Sequence, residues 1–463
     1  MVSSSSSPSM LPSERRAAGS LATIYIFRML GLFIVLPVFS LFASEYAHST
    51  PFMVGLAIGV YGIFQAILQV PFGMLSDRFG RKLMISIGLV CLAIGSVVAA
   101  TAESIYWVIL GRSLQGAGAI SAVIMALAAD LTRDDQRTKI MAVIGASIGF
   151  AFILALMLGP LLITWFSISA LFWISAATAV IGLVLLHTVV PDPEEQVHRA
   201  ETGATPKGMA QLLKNPQLLR LDVSIFVLHA IITATFLAVP LLLRDMGLSA
   251  ESHWRVYLPA MGMAAVVLIP MMMGAERRFL KPVMLLCVVG LLFTNVFFWL
   301  APTSVTTLFI GVFLFFSFLT VLEALFPSLV SRIAPADAKG SAMGVYSSSQ
   351  FMGGFVGGAG GGWLYGAFGA SAVFIALAVM CAVWLFALKD FVSPDKLFMR
   401  RYRLNEAERQ DLSNTLGALK ALPGVAEVGF VEAEGVAYLK VDKTLYVAPE
   451  GSVIRKTSDP IPA

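Results

Sequence analysis

The sequence predicts an all-α membrane protein of twelve transmembrane helices in two six-helix halves, followed by a small C-terminal α+β domain. Three observations predict it. Of 463 residues, 58% are hydrophobic and 13% charged, where soluble domains are nearer a quarter charged. Apolar runs of about 20 residues, enough to cross a hydrocarbon core about 30 Å thick as a helix, recur along the chain. The charges gather in the short segments between those runs. A soluble protein of this length could not hide so much apolar surface in one core.

The elements follow in order. Residues 1–13, rich in Ser and Pro, read as a disordered tail. Arg15 and Arg16 precede an apolar run from Leu21 to Ala43. That run exceeds the roughly 7–15 residues of a secretory signal and reads as a first membrane helix. Twelve runs lie near 20–43, 52–75, 83–101, 105–129, 138–162, 169–190, 218–243, 254–273, 282–300, 304–330, 338–365 and 370–390. A polar segment at 191–217 with Pro191, Pro193, Pro206 and Pro216 separates an N-terminal half, 14–190, from a C-terminal half, 218–391. Such a division suggests two repeats about an axis along the membrane normal. Lys and Arg concentrate in alternate connections, Arg78, Arg81 and Lys82 among them, which places both termini in the cytoplasm. Asp77-Arg78-Phe79-Gly80-Arg81-Lys82 and Glu276-Arg277-Arg278-Phe279-Leu280-Lys281 occupy corresponding places in the halves, a weak internal repeat.

Residues 396–463 are charged and amphipathic. Leu397–Leu404 reads as a strand, Asn405 with Glu408 as a capping box, and Leu412, Leu416 and Leu419 as one face of a helix ended by Pro423-Gly424. Val425–Val431 and Val436–Val441 read as two strands joined at Glu434-Gly435.

Composition also excludes. The net charge of +4 is small, and no basic patch is interleaved with aromatics, which argues against nucleic acid as a partner. Cys91, Cys287 and Cys381 lie far apart inside apolar runs and the five histidines are scattered, so neither a disulfide framework, a metal site nor a cofactor is implied. The glycines from Gly353 to Gly362 sit in an apolar run without a preceding strand or neighbouring Lys. They read as close helix packing rather than a nucleotide loop, and no catalytic constellation points to an enzyme.

Three motifs carry the functional expectation. Between helices two and three stands Gly73-Met-Leu-Ser-Asp77-Arg78-Phe-Gly80-Arg81-Lys82. Gly73 allows close helix approach and Gly80 a tight turn. Asp77 can accept from the N-terminus of another helix, naturally helix eleven after Pro335 and Asp337, and so latch the halves. Helix four holds Arg112-Ser-Leu-Gln115-Gly116-Ala-Gly118-Ala119. An arginine at membrane depth costs about 2.5–3.5 kcal/mol and needs a partner, a wet cavity, or room to snorkel. Helix five holds Gly145, Gly149 and Gly159-Pro160, explained equally by close packing.

These runs resemble the signature loop, the helix-four run and part of the antiporter run of the major facilitator superfamily, with Leu161 and Leu162 where the last has further glycines. Phe27-Arg28-Met-Leu-Gly31, Glu251-Ser-His-Trp254-Arg-Val-Tyr257 and Glu323-Ala-Leu-Phe-Pro327 resemble bacterial members of that family which carry a C-terminal ferredoxin-like domain. Beyond Thr444, Pro449 and Gly451 fall where a second helix of that domain is expected, so the domain is expected to be incomplete. The resemblance implies a secondary transporter of the bacterial inner membrane, a monomer, moving a small molecule by alternating access. It implies proton coupling at Arg112.

Ionisable residues inside the expected membrane helices are few: Arg28, Arg112, His229 and Glu323. A carboxylate among Leu, Val and Phe can carry a proton, and His titrates near neutrality. Glu323 and His229 are therefore the proton-coupling candidates beside Arg112. Arg28 is a candidate anchor, anion site or partner to a carboxylate. Tyr61, Gln65 and Gln69 in helix two, and Tyr346 and Gln350 in helix eleven, are spaced four apart and line a candidate central cavity, with Phe33, Phe64 and Trp254 as apolar walls. The expectation is proton-driven efflux. Symport or facilitation, and a membrane sensor reading through the C-terminal domain, are the alternatives.

Overall fold

A computed structural model describes residues 10–192, 212–275, 279–300, 303–334, 338–393, 397–404, 408–409, 411–431, 436–442 and 446. The chain divides into two compact units, Met1–Met273 with Pro282–Asp390, and Gly274–Lys281 with Phe391–Ala463.

The first unit is helical. A first set comprises α1 Pro12–Phe33, α2 Phe39–Phe42, α3 Pro51–Phe79, α4 Arg81–Ala100, α5 Ile105–Ala117, α6 Ser121–Asp130, α7 Asp134–Trp165 and α8 Ile168–Thr188. A second set comprises α9 Pro216–Asp245, α10 Trp254–Gly274, α11 Leu280–Leu300, α12 Val305–Ile333, α13 Lys339–Phe368 and α14 Ala370–Leu388. Among the described residues ten segments are long and apolar enough to cross a membrane, with Ile105–Asp130 counting as one. The first and eleventh expected spans also fold as helices but are not among the ten. Charge at the start of α1, with Arg28 inside it, and the glycine and serine of α13 dilute their apolar character. Large apolar side chains such as Val266, Ile269, Phe293 and Phe386 are exposed, the surface a bilayer covers.

Two expected spans are interrupted. The first stops at Phe33, turns through 34–38 and resumes as α2. Pro37 explains the break, because it offers no backbone N–H and restrains the residue before it. The fourth stops at Ala117 and resumes at Ser121. Its backbone crosses α4 closely here: a methyl on Gly118 would collide with the Gly88 carbonyl.

A close seam between the two sets runs along α3 and α13. A Cβ on Gly358 would lie 2.6 Å from the Gly55 carbonyl oxygen, so α13 and α3 meet backbone to backbone. Gly62 meets Phe351 in the same way, and Ser348 Oγ donates to the Ala66 carbonyl at 3.1 Å. The glycine run serves two faces of α13. Gly353 and Gly357 rest on the Phe226 and Ala230 backbones of α9, while Gly358 and Gly362 rest on α3. Seven residues on from Ala66, and so on the same helical face, Gly73 has nothing within 4 Å; nor have Gly344 and Gly340 on α13. The sets are sealed at the end carrying residues 51 and 366 and diverge toward the end carrying Asp77. Pro71, inside α3, removes a backbone hydrogen bond at that point.

The second unit holds a three-stranded antiparallel sheet, ordered β1-β3-β2, of β1 Leu397–Arg403, β2 Val425–Val431 and β3 Val436–Asp442. The helix α15, Leu412–Lys420, lies between β1 and β2 in sequence. With β3 between the other two strands this is a split β-α-β arrangement. Leu419 joins Ala437, Leu439 and Val441 in a small core. Asn405 and Glu434-Gly435 lie outside the described residues, as do Pro449, Gly451 and any completion to a ferredoxin-like fold. Glu408 accepts from Tyr402 Oη at 3.0 Å.

Candidate functional site

The first set buries two guanidinium groups. Arg28 is 1% exposed. Burying a charge is costly unless its donors are satisfied, and the helix break beside it satisfies them. Nη1 donates to Ser121 Oγ at 2.6 Å, and Nη2 to Gln65 Oε1 at 2.7 Å and to the Gly118 carbonyl at 3.4 Å. Gln65 Nε2 donates to Gln69 Oε1 at 2.9 Å, so both glutamines turn into the bundle. Arg112, also 1% exposed, donates from Nε to the Ala57 carbonyl at 3.3 Å and from Nη1 to Gln115 Oε1 at 2.9 Å. Gln115 in turn donates to Ser96 Oγ at 2.8 Å. The Arg112 guanidinium stands 5.1 Å from the centre of the Tyr61 ring, a cation–π contact. It points inward and does not snorkel. Among the described residues no carboxylate hydrogen-bonds either guanidinium.

The second set brings the acid and the imidazole together half-buried, their side chains 34% and 20% exposed. His229 Nδ1 stands 3.5 Å from Glu323 Oε1, an ion-pair distance without hydrogen-bond geometry. Its Nε2 lies 2.8 Å from Gln350 Nε2. With the Gln350 amide assigned this way round, the amide donates, Nε2 accepts, and the ring proton sits on Nδ1 toward Glu323. Tyr346 is buried on α13, its hydroxyl without a hydrogen-bond partner. Asp222 is 7% exposed. Sequence reasoning missed it because it sits near the start of its helix, among charges read as topology. Seven residues before His229, it shares that face of α9.

The two half-sites share a plan. α3 and α13 form the seam, and each sends one glutamine back into its own set to an ionisable residue, Gln65 to the buried Arg28 and Gln350 to the half-buried His229. Of the expected apolar walls, Phe33 packs edge-on to Phe152 at 5.1 Å, Phe64 is exposed, and Trp254 carries the Arg255 guanidinium.

The loop motif forms a network of its own. Arg81 pairs with Asp77, donates to Asp130 Oδ2 at 3.1 Å and reaches Ser76 Oγ at 2.6 Å. Gly80 has φ 100°, the left-handed region that favours glycine, and joins α3 to α4. Arg78 lies over the Phe79 ring, and Lys82 pairs with Asp192 at 2.6 Å, which lowers the Asp192 carboxyl below its usual range. Pro335 and Asp337 lie outside the described residues; among those described, the carboxylate of Asp77 pairs with Arg81. Nearby, Glu14 clasps Arg133. Nε and Nη2 donate to it at 2.9 and 3.0 Å, and the Arg133 hydrogen bonds hold the Glu14 carboxyl at about 2.

Two sets of long apolar helices sealed along one seam, each burying ionisable residues in its interior, define a multi-pass membrane protein with polar groups held at depth, the mark of a solute pathway. The chain belongs to the Major Facilitator Superfamily, whose profile matches residues 21–319 and 261–398. It is 42% identical over 440 residues to the inner membrane transport protein YajR of Escherichia coli (strain K12), across 94% of this chain and 95% of that one. To the multidrug resistance protein MdtH of Photorhabdus laumondii it is 25% identical over 362 residues, 77% of this chain and 88% of MdtH. The crystal structure of the D-xylose-proton symporter superposes with a TM-score of 0.63 at 15% identity, over 82% of this chain and 98% of that one, a likeness of fold. The family and the relative YajR are transporters, not enzymes.

Proposed function

We propose that the chain is a proton-coupled secondary transporter that exports a small molecule across the bacterial inner membrane by alternating access, as a monomer. In this reading twelve spans, the ten long apolar helices together with α1–α2 and α13, form two six-helix halves with both termini in the cytoplasm. The observation that carries it is the half-buried group of Glu323, His229 and Gln350 on three helices of one half, beside the seam against the other. Coupling requires a protonatable group whose surroundings differ between conformers. Rocking about the seam changes the surroundings of Glu323 and His229, while Arg112 supplies a fixed buried charge on the other side. Arg28, Tyr61, Gln65, Gln69, Tyr346 and Gln350 line the substrate path. In the conformer sealed at the opposite end, the N-terminus of α13 comes to Asp77. The Gly73, Asp77, Arg78, Gly80 and Arg81 loop then acts as the latch, with Arg81 already placed to hold Asp77. Export is supported by the relative MdtH, a multidrug resistance protein.

Reconstituted vesicles under an imposed pH gradient test this, with small molecules screened beside Glu323→Gln. Substrate-dependent proton movement out of step with the substrate, lost in the variant, is the expected result. Movement in the same direction as the substrate makes the protein a symporter on the same residues. Movement that survives in Glu323→Gln transfers the proton to His229 or Asp77.

A further inference from the structure

The burial of Arg112 is only partly compensated. Both terminal nitrogens of Arg28 have acceptors, and Arg133 pairs with the carboxylate of Glu14. Arg112 places Nε on the Ala57 carbonyl and Nη1 on Gln115 Oε1, yet its Nη2 is buried without a hydrogen-bond partner. The ring against which the guanidinium stands ends in a second such group, because Tyr61 Oη is also buried without a partner. The two residues are 1% and 2% exposed. A guanidinium keeps its proton, so a full positive charge is held among apolar helices. Neutral acceptors satisfy its donors but do not cancel the charge, and an uncompensated buried charge is strongly destabilising.

The chemistry of the two groups defines what completes them. Nη2 and the tyrosine hydroxyl can both donate, so the ligand accepts, and the charge it answers makes it an anion. A guanidinium grips a carboxylate or phosphate through two adjacent nitrogens. Here Nε and Nη1 are already engaged, which leaves one nitrogen and suits a single-atom anion instead. Backbone packing fixes the helices that carry the two groups. Gly116 lets α5 lie on α3, where a methyl would collide with the Tyr61 carbonyl. A Cβ on Gly111 would stand 2.6 Å from the Gly95 carbonyl oxygen, so α5 is held to α4 as well.

We propose that Arg112 Nη2 and Tyr61 Oη form a binding site for a halide ion such as chloride, held inside the first set as the counter-charge to Arg112. The ion is a resident of the fold and not the transported solute. The site rests on groups of α3 and α5 alone, and so depends neither on proton coupling nor on the direction of transport.

Melting of the purified full-length protein in detergent tests it, with chloride exchanged for gluconate at constant ionic strength. The expected result is a melting temperature that rises saturably with chloride, and likewise with bromide. Tyr61→Phe keeps the ring beside Arg112 and is expected to half-saturate at about tenfold higher chloride, the effect of losing one hydrogen bond to a charged partner. Gln115→Glu puts a carboxylate where Nη1 already donates and so supplies the counter-charge covalently. That variant is expected to melt above the parent in gluconate and to have lost the chloride response. A response that grows with salt without saturating, or that is unchanged in either variant, is a general salt effect and overturns the proposal. Glu323→Gln is expected to titrate like the parent; a response altered there as strongly as in Tyr61→Phe makes the acid the counter-charge and overturns it too. Failed proton-coupled transport beside an intact chloride response counts against the transport reading alone.

Discussion

At the scale of single residues, the buried charges are held by neutral neighbours. Arg28 draws on Ser121, Gln65 and a carbonyl freed by a broken helix. Replacing Gln65 with Leu leaves a buried guanidinium short of an acceptor, and the expected loss is about 2 kcal/mol, read as a lower melting temperature in detergent. Glu14 behaves differently because it titrates within reach. Its carboxyl falls from 4.5 to about 2 through the Arg133 hydrogen bonds, so the clasp contributes fully above about 4.5 and is lost as pH falls toward 2. Acid melts of the parent and Glu14→Gln are expected to converge over that window; parallel curves would show that the clasp contributes nothing. The sequence made Arg28, Arg112, His229 and Glu323 legible because ionisable residues are rare in apolar runs. It did not reveal their partners, since Gln and Ser on other helices are unremarkable until the fold brings them together.

At the scale of elements, glycine decides which helices touch. The sequence showed a glycine run suited to close packing. It did not show that the run divides between α9 and α3, because that depends on the rotation of one helix between two neighbours. Gly358→Val is expected to destabilise by about 3 kcal/mol through a backbone clash with α3. Gly360→Ala, with nothing within 4 Å, should change stability by under about 0.5 kcal/mol. Equal melting curves for the two would refute the seam. The break in the fourth span was hidden for a related reason: Gly116-Ala-Gly118 reads equally as a packing motif within a continuous helix. Only the crossing with Gly88 shows why the backbone departs there, and the departure supplies both a carbonyl and Ser121 to Arg28.

For the whole molecule, apolar run length was read directly from hydropathy, and the six-and-six division is proposed from the same runs. Composition alone selects ten spans, since α1 and α13 carry polar residues that line the interior rather than the bilayer face. The C-terminal unit has its own core of Leu419, Ala437, Leu439 and Val441. Removing residues 396–463 is expected to leave measurable flux in vesicles. Abolished flux in a truncated protein that remains folded would favour the sensor reading.

The seam, closed along residues 51–66 and parted at Gly73 and Gly344, also gives the molecule a hydration asymmetry. A face that separates toward one end admits solvent there, and in the proposed alternating-access cycle every passage through an intermediate sealed at both ends must expel it. That exchange has a volume, and volume has a conjugate variable. An osmolyte excluded from the crevice favours whichever conformer holds the least water, so sucrose or a bulky polyol biases the protein toward the occluded intermediate without touching any residue of the site. On that cycle, the glycines that let two backbones meet are expected to make transport sensitive to water activity.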